Sequence, residues 1–280
     1  MKREEALKKA NFLLYKSGKE VSLSNFLLMY LLDENPQQFK KNINKFLNEK
    51  EVNKFFLLLN EHIEEDKPLS HLLGFDYFYG RKFLVNSSVL SPRMETEELV
   101  YIILKNIKDC NNKYYKILDL CTGSGIIAIT LKKEIEVETD IFASDISKKA
   151  LEVAKKNAIN LDADINFIES DIFDNIKNKY DILVSNPPYI SYEDKNKLKK
   201  NVLNYDPHIA LFAKENGMYF YRKILEDAKC YLNNDGVIFL EIGCTQGEFI
   251  KNLAKKYNYN INVIKDLNGL DRIAILRPIF

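Results

Sequence analysis

Between Lys116 and Arg277 the chain alternates short apolar runs with amphipathic stretches, and no other feature restricts its fold as much. KILDLC, IFASD, INFIE, DILVSN, GVIFLEIG, INVIK and RIAILRP are too short for helices and rich in β-branched residues, so they read as strands. The stretches after Gly125, Ser147, Gly217 and Thr245 carry helical spacing. Continuous apolar strands separated by helices predict an α/β fold: a buried, mostly parallel sheet covered on both faces. The last two runs are joined by a short turn containing Asn268-Gly269, which predicts a hairpin and an antiparallel final strand.

Upstream of Pro68 the texture differs. Apolar residues recur at helical spacing (Leu7, Ala10, Leu14; Phe26, Leu27, Tyr30; Phe55, Phe56, Leu59), with breaks at Ser17-Gly18 and Asn35-Pro36. Residues 1–68 are expected to form a bundle of about four short helices, the second capped by Ser22 or Ser24. Between Lys2 and Lys67 stand 12 basic and 11 acidic residues, and the whole chain has 41 against 40 for a net charge of +1. A surface that neutralises phosphates needs a basic excess, so no stable nucleic-acid binding is expected. No run reaches the roughly 18 apolar residues of a membrane span, and MKREEALKKA has no apolar signal region behind it, so a cytoplasmic protein is expected. Cys110, Cys121, Cys230 and Cys244 are scattered, and neither they nor the three histidines make a metal spacing.

Residues 69–90 link the two textures. FDYFYGRKFLV predicts a hairpin centred on Gly80-Arg81. Its aromatic residues Tyr77, Phe78, Tyr79 and Phe83 read as cement between domains, or else as a partner surface. In VLSPRMETEELV, Pro92 bars helix immediately before it, and Thr96 or Glu95 is expected to cap a helix reaching about Ile107.

Two motifs carry chemistry. The first is Asp119-Leu120-Cys121-Thr122-Gly123-Ser124-Gly125, a strand end, a tight turn and a helix start. Glycines there let a ligand approach the backbone, and helix-start N–H groups face it. Asp145 ends the next strand, where a carboxylate accepts both hydroxyls of a ribose. Asp171 ends the one after and is suited to an adenine amino group. The plain alternative is a packing turn. The stronger rival is a dinucleotide site, because Gly123 to Ala128 also satisfies G-x-G-x-x-A. Asp119 favours a ligand with an ammonium over a pyrophosphate, and adenosine with an amino-acid tail describes S-adenosylmethionine (SAM), whose demethylated product is S-adenosylhomocysteine.

The second motif is Asn186-Pro187-Pro188-Tyr189, just past Ser185 at the end of the fourth strand. Pro187 holds Asn186 extended, and the two prolines stiffen the backbone on its C-terminal side. The Asn186 side-chain oxygen and the Pro187 carbonyl can each accept one N–H from a planar NH₂ group, and Tyr189 offers a flat face beside it. The motif has no acid or base. An already activated methyl donor needs alignment and polarising acceptors rather than proton transfer beforehand.

With these motifs the chain resembles the HemK/PrmC family of protein-(glutamine-N5) methyltransferases. The resemblance runs through PLSHLLGFDYFYGRKF, SPRMETEEL, LDLCTGSGIIAI, ASDIS, SDIF, VSNPPYI, YDPHIALFA with Gly217 beyond it, GVIFLEIG and GLDRIAI. It implies a Rossmann-like class I SAM-dependent methyltransferase fold over residues 91–280, a seven-stranded sheet with its last strand antiparallel. It implies methyl transfer to the glutamine of the Gly-Gly-Gln loop in class I peptide chain release factors, which residues 1–68 recognise, by a monomeric enzyme. By that similarity Cys121 to Gly125 wrap the methionine end of SAM, Asp145 holds the ribose, and Asp171-Ile172 borders the adenine. Asn186 touches cofactor and acceptor, Asn186 to Tyr189 grip the glutamine amide, and Arg93 and Thr96 close one side of the pocket. Three positions depart from the family. Cys121 replaces a glycine and is expected to keep a negative φ, its thiol a packing atom. Met94 replaces a proline, and Ile172 a larger aromatic.

The Asn-Pro-Pro-Tyr motif also serves adenine and guanine amino methyltransferases, so a nucleic-acid acceptor is the alternative. A SAM-binding adaptor without activity and a NAD-dependent enzyme are more distant readings. Among other residues, His71 is expected to be structural, His208 to lie in a loop over the site, and Lys195–Lys200 to be a solvated face.

Overall fold

The computed structural model describes residues 1–109 and 112–279, so Cys110 lies outside the described residues. The chain divides into two compact units, Met1–Asp76 with Lys199–Tyr205, and Tyr77–Leu198 with the chain from Asp206 onward.

The first unit holds α1 (Arg3–Lys16), α2 (Leu23–Leu31), α3 (Pro36–Lys41), α4 (Glu49–Glu65), α5 (Leu69–Leu73) and a later helix, α9 (Lys200–Tyr205). Asparagines start two of them. Asn35 and Asn48 accept from the backbone N–H of Gln38 and Glu51, whose side chains accept in return from the asparagine N–H groups. Ser22 stands just before α2, as expected, but its hydroxyl donates to Glu20 and no side chain caps the helix. Ala6, Ala10 and Leu14 of α1, Leu27 and Leu28 of α2, and Phe55 and Leu59 of α4 are sealed in one core. Tyr205 fastens α9 by donating to Glu65 Oε2 at 3.1 Å, with its ring 5.7 Å from that of His71. The unit therefore runs past residue 68 and recruits a segment from far along the chain.

Phe75–Phe78 (β1) and Arg81–Leu84 (β2) form a two-stranded ribbon. Its turn is Tyr79-Gly80, one residue earlier than expected, with φ of 50° and 74°, the two left-handed positions of a tight hairpin turn. Phe75 packs its ring 5.9 Å from Tyr30 in the first unit. Phe78 and Phe83 are buried in the core of the second.

The second unit continues with α6 (Met94–Lys108), β3 (Tyr114–Leu120), α7 (Ile126–Glu134), β4 (Glu138–Asp145), α8 (Lys148–Asn160), β5 (Asn166–Glu169) and β6 (Tyr180–Ser185). A small pair comes next, β7 (Ile190–Ser191) with β8 (Phe212–Ala213), bracketing α10 (His208–Leu211). Then come α11 (Tyr219–Asp227), β9 (Leu232–Glu241), α12 (Gly247–Lys256), β10 (Tyr259–Lys265) and β11 (Asp271–Pro278). All seven strands expected from the sequence are present. They form one sheet in the order β10-β11-β9-β6-β3-β4-β5, with β11 antiparallel to both neighbours and the other pairings parallel.

The period of two within each strand divides the core into two layers. Ile117, Ile182, Val184, Phe239 and Ile275 face one way, joined by Leu99 and Ile103 of α6 and Ile127 and Leu131 of α7. Leu118, Leu183, Ile238, Leu240 and Leu276 face the other, with Ile224 of α11 and Ile250 of α12. From β3 the chain winds outward through β4 and β5, then returns to β6 on the opposite side. The loops after β3 and β6 therefore part at the carboxyl ends of the strands, where open α/β sheets hold ligands. Among the described residues no helix is long and apolar enough to cross a membrane.

Candidate active site

A cleft with about 940 Å³ of empty volume, part of it open to solvent, lies at that switch point. Cys121 to Ser124 form its floor, Asp145, Asp171 and Ile172 one side, and Asn186 and Pro188 the other. Arg93 and Thr96 close it as the resemblance implies, together with Ile209 and Ala210 of the YDPHIALFA stretch and with Phe220, which carries no signal in the sequence.

The floor is held by backbone geometry. Gly125 stands before α7 at φ 81°, and a Cβ there would lie 3.0 Å from Ile129 Cδ1 and 3.1 Å from Ala154 Cβ. Glycine is thus required on two counts. Asn157, fully buried on α8, donates to Ser124 O at 2.9 Å and to Leu84 O at 3.1 Å, and accepts from Leu84 N at 2.7 Å. It ties the loop to β2. Cys121 has φ 59°, not the negative value expected, so this loop carries left-handed strain at a non-glycine residue. Burial pushes its thiol pKa up, which keeps the sulfur protonated and inert.

Asp145 accepts from Gly123 N at 2.9 Å and Ser147 N at 2.8 Å, one bond on each oxygen. Each oxygen keeps a lone pair for a further donor. Asp171 and Ile172 sit on a turn in which Ile172 has φ 48°, an outlier for a β-branched residue, and Ser170 Oγ donates to its carbonyl at 3.0 Å.

Asp119 is placed differently from the other loop residues. It lies wholly buried beneath the floor rather than in the cleft lining. Its Oδ2 accepts from Thr122 Oγ1 at 2.6 Å and Ala128 N at 3.2 Å, while Oδ1 has no hydrogen-bond partner among the described residues. Burial raises its pKa to about 7. A buried carboxyl with a free oxygen below a helix N-terminus suits a cationic group better than a phosphate. Together with the ribose-competent Asp145 and the isoleucine-lined side wall, it fits SAM.

On the opposite wall Asn186 donates through Nδ2 to Thr96 Oγ1 at 3.2 Å, and Thr96 Oγ1 donates to Glu241 Oε2 at 2.7 Å. Thr96 and Glu241 are both buried, and burial raises Glu241 to a pKa of about 7. Thr96 is no helix cap: α6 already starts at Met94, and the hydroxyl is spent on Glu241. Tyr221 Oη donates to the Glu241 carbonyl at 2.9 Å. Glu241 is a site residue that the motifs do not point to, although a lone acid inside the apolar run GVIFLEIG is a signal in itself.

Pro187 and Tyr189 do not line the cleft. Tyr189 borders a second cavity with Arg272, Gln246 and Glu193. Burial lifts its phenol to a pKa of about 12. Its carbonyl accepts from Gln246 Nε2 at 2.9 Å, and a Cβ on Gly217, whose φ is 86°, would fall 2.1 Å from that oxygen. This close approach accounts for the glycine. Asp206 pins the cleft entrance, accepting from Arg93 Nη2 at 2.8 Å and Ser91 N at 3.3 Å. His208 opens α10 with its ring edge-on to Phe212, 5.5 Å away, and lies outside the lining. The turn Tyr192–Lys197 has no buried residue, and Lys197 pairs with Asp194.

Residues 97–208 match the methyltransferase small domain family. Over 75% of its length the chain is 45% identical to a release factor glutamine methyltransferase of Flavobacterium psychrophilum, covering 75% of that protein. It is 38% identical to a release factor glutamine methyltransferase of Streptococcus pneumoniae, with 94% of each chain covered. Among solved structures, a methyltransferase from Pyrococcus furiosus shares the fold with a TM-score of 0.54 at 20% identity, covering 71% of this chain and 89% of that one.

Proposed function

We propose how the site works from one premise: the chain belongs to the release factor glutamine methyltransferase family and is a SAM-dependent enzyme. It transfers a methyl group to the side-chain amide nitrogen of the glutamine in the Gly-Gly-Gln loop of a class I peptide chain release factor. The observation that carries this reading is a single cleft in which the Asn186 wall faces the Cys121–Ser124 floor and the Asp145 side.

When bound, SAM supplies a methyl already activated by its sulfonium. The protein's part is to hold and orient. Cys121 to Gly125 wrap the methionine end, and Asp119 Oδ1 answers its ammonium through the loop. Asp145 receives the ribose hydroxyls, while Asp171 and Ile172 border the adenine. Asn186 Oδ1 and the Pro187 carbonyl accept the two N–H bonds of the acceptor amide. This holds the nitrogen's remaining lobe toward the methyl and draws electron density onto a nitrogen otherwise delocalised into its carbonyl. Pro188 walls the planar group from the cleft, and Tyr189 walls it from the side of the second cavity. No base acts before transfer, and the proton leaves as the C–N bond forms or after it.

The helical unit serves in this reading to recognise the release factor, and the enzyme works as a cytoplasmic monomer without a stable nucleic-acid complex. The balance of 41 basic and 40 acidic residues supports the last point. A nucleic-acid acceptor is not favoured, since relatives at 45% and 38% identity are named for release factor. The test is a transfer assay with methyl-labelled SAM, offering release factor, its Gln→Ala loop variant and nucleic acid side by side. Label in the intact factor alone is expected. Label in nucleic acid alone overturns the acceptor.

A further inference from the structure

The chain Asn186–Thr96–Glu241 has a direction. A threonine hydroxyl owns one hydrogen, so it can donate once, and here it donates to Glu241 Oε2 at 2.7 Å. Toward Asn186 the same oxygen can then only accept, and it accepts from Nδ2 at 3.2 Å. Fixing the amide nitrogen on the protein leaves Oδ1 as the free end. An acceptor amide of the –NH₂ type offers hydrogens, so it needs that oxygen and has no use for a second NH₂.

We infer that Glu241, acting through Thr96, sets which end of the Asn186 carboxamide is offered to the acceptor nitrogen. Glu241 is a positioning residue in this scheme, and the inference rests on the acceptor reading above. The three groups come from α6, the loop after β6 and the end of β9, so the sheet itself holds the line together. With the carboxylate ionised, every bond runs from Asn186 toward Glu241. With it protonated, Glu241 becomes the donor to Thr96, whose hydrogen is then free for Asn186 Oδ1. The carboxamide turns over and offers NH₂, and the acceptor loses its partner.

The surroundings leave Glu241 able to switch. Burial raises its pKa to about 7, opposed by the Thr96 bond and by the positive charge of Arg272 from β11. Glu95 from α6 adds negative charge, Asn186 bonds to it in part, and the Tyr189 phenol and Tyr221 lie close. A carboxyl of ordinary pKa would stay mostly charged across the range assayed below. Burial moves this one up into that range.

The experiment follows kcat at saturating SAM and acceptor from pH 5.5 to 9, with SAM affinity measured separately by calorimetry. Wild-type kcat should fall on the acid side of about pH 7. Thr96→Val keeps the shape and removes the relay, and should lower kcat by about tenfold or more with SAM affinity held within about threefold. Thr96→Ser restores the hydroxyl and should recover most of that loss. Glu241→Gln accepts from Thr96 without titrating, so its acid limb should vanish. Wild-type kcat in Thr96→Val overturns the inference, as does an acid limb unchanged in Glu241→Gln. Equal losses of SAM affinity and kcat also overturn it, because they mark a merely structural role. If wild type labels only nucleic acid, the acceptor reading fails, while the same variants test the relay on that acceptor's amino group.

Discussion

The two walls of the cleft are built on different plans. The proposed cofactor side is made of short stretches at consecutive strand ends: Cys121–Ser124 after β3, Asp145 at the end of β4 and Asp171-Ile172 after β5. Each stretch is a turn with a left-handed residue or a strand end, and the stretches are braced by Asn157 on Ser124 and by Asp145 on Gly123. The proposed acceptor side is made of side chains far apart in sequence, with Asn186 bonded to Thr96 and Thr96 to Glu241. One wall is a property of loops, the other of the assembled sheet. Damage to the first should therefore appear in cofactor affinity, and damage to the second in turnover.

The largest expected effect is at Asn186. Asn186→Ala should lower kcat by roughly 10²–10³, the range for removing a group that polarises the reacting atoms, with SAM affinity reduced less than about tenfold. Single-turnover kinetics and calorimetry would check it. A matching collapse of SAM affinity would erase the distinction between the walls.

Next comes Asp119, whose pKa is raised by burial from 3.8 to about 7. Between those values the folded protein holds a proton that the unfolded chain has released, so stability without ligand should fall as pH rises from about 4 to about 7. Asp119→Asn should reduce that slope to the part Glu241 contributes and raise stability at pH 8 by roughly 2–4 kcal/mol, while weakening SAM binding. Denaturant titrations across pH, with and without SAM, would read both signs. A variant that is less stable at pH 8 would show that the carboxylate is better compensated than its free Oδ1 suggests.

Asp145→Asn should raise the SAM Kd by roughly tenfold to a hundredfold, as expected for charge-assisted hydrogen bonds to two hydroxyls, and leave the acceptor KM nearly unchanged. An initial-rate matrix in both substrates sharpens the comparison here, since an acceptor-side defect would show in the other KM.

The smallest effect is at Cys121. Glycine accepts φ 59° without cost, so Cys121→Gly should raise the melting temperature, corresponding to about 1 kcal/mol, with SAM affinity unchanged. A loss of stability would mean that the thiol's packing outweighs the strain.

The same division explains what the sequence made readable. The seven strands, the glycine turn and Asn-Pro-Pro-Tyr are local patterns, and periodicity or a rigid tetrapeptide exposes them at once. Glu241 was legible as an oddity but not as a partner, because nothing near it in sequence points to Thr96. The expected caps failed in a related way: Thr96 and Ser22 have the right chemistry at a helix start, yet each hydroxyl found a carboxylate instead. Cys121 shows that residue type alone did not report the sign of φ, which the loop imposes. The hold of Tyr205 on Glu65 was invisible for the same reason as Glu241, since it joins residues from distant parts of the chain.

That hold bears on how the chain is made. A ribosome delivers residues in order, and domains generally fold as they emerge. The helical unit has its first five helices in hand early, but α9 arrives only after β3, β4, β5 and β6 have left the exit tunnel. The part of the molecule that begins first is thus finished among the later steps. Until then the seat for Tyr205 stands open in the nascent protein, a waiting place that closes only when most of the catalytic sheet has already been synthesised.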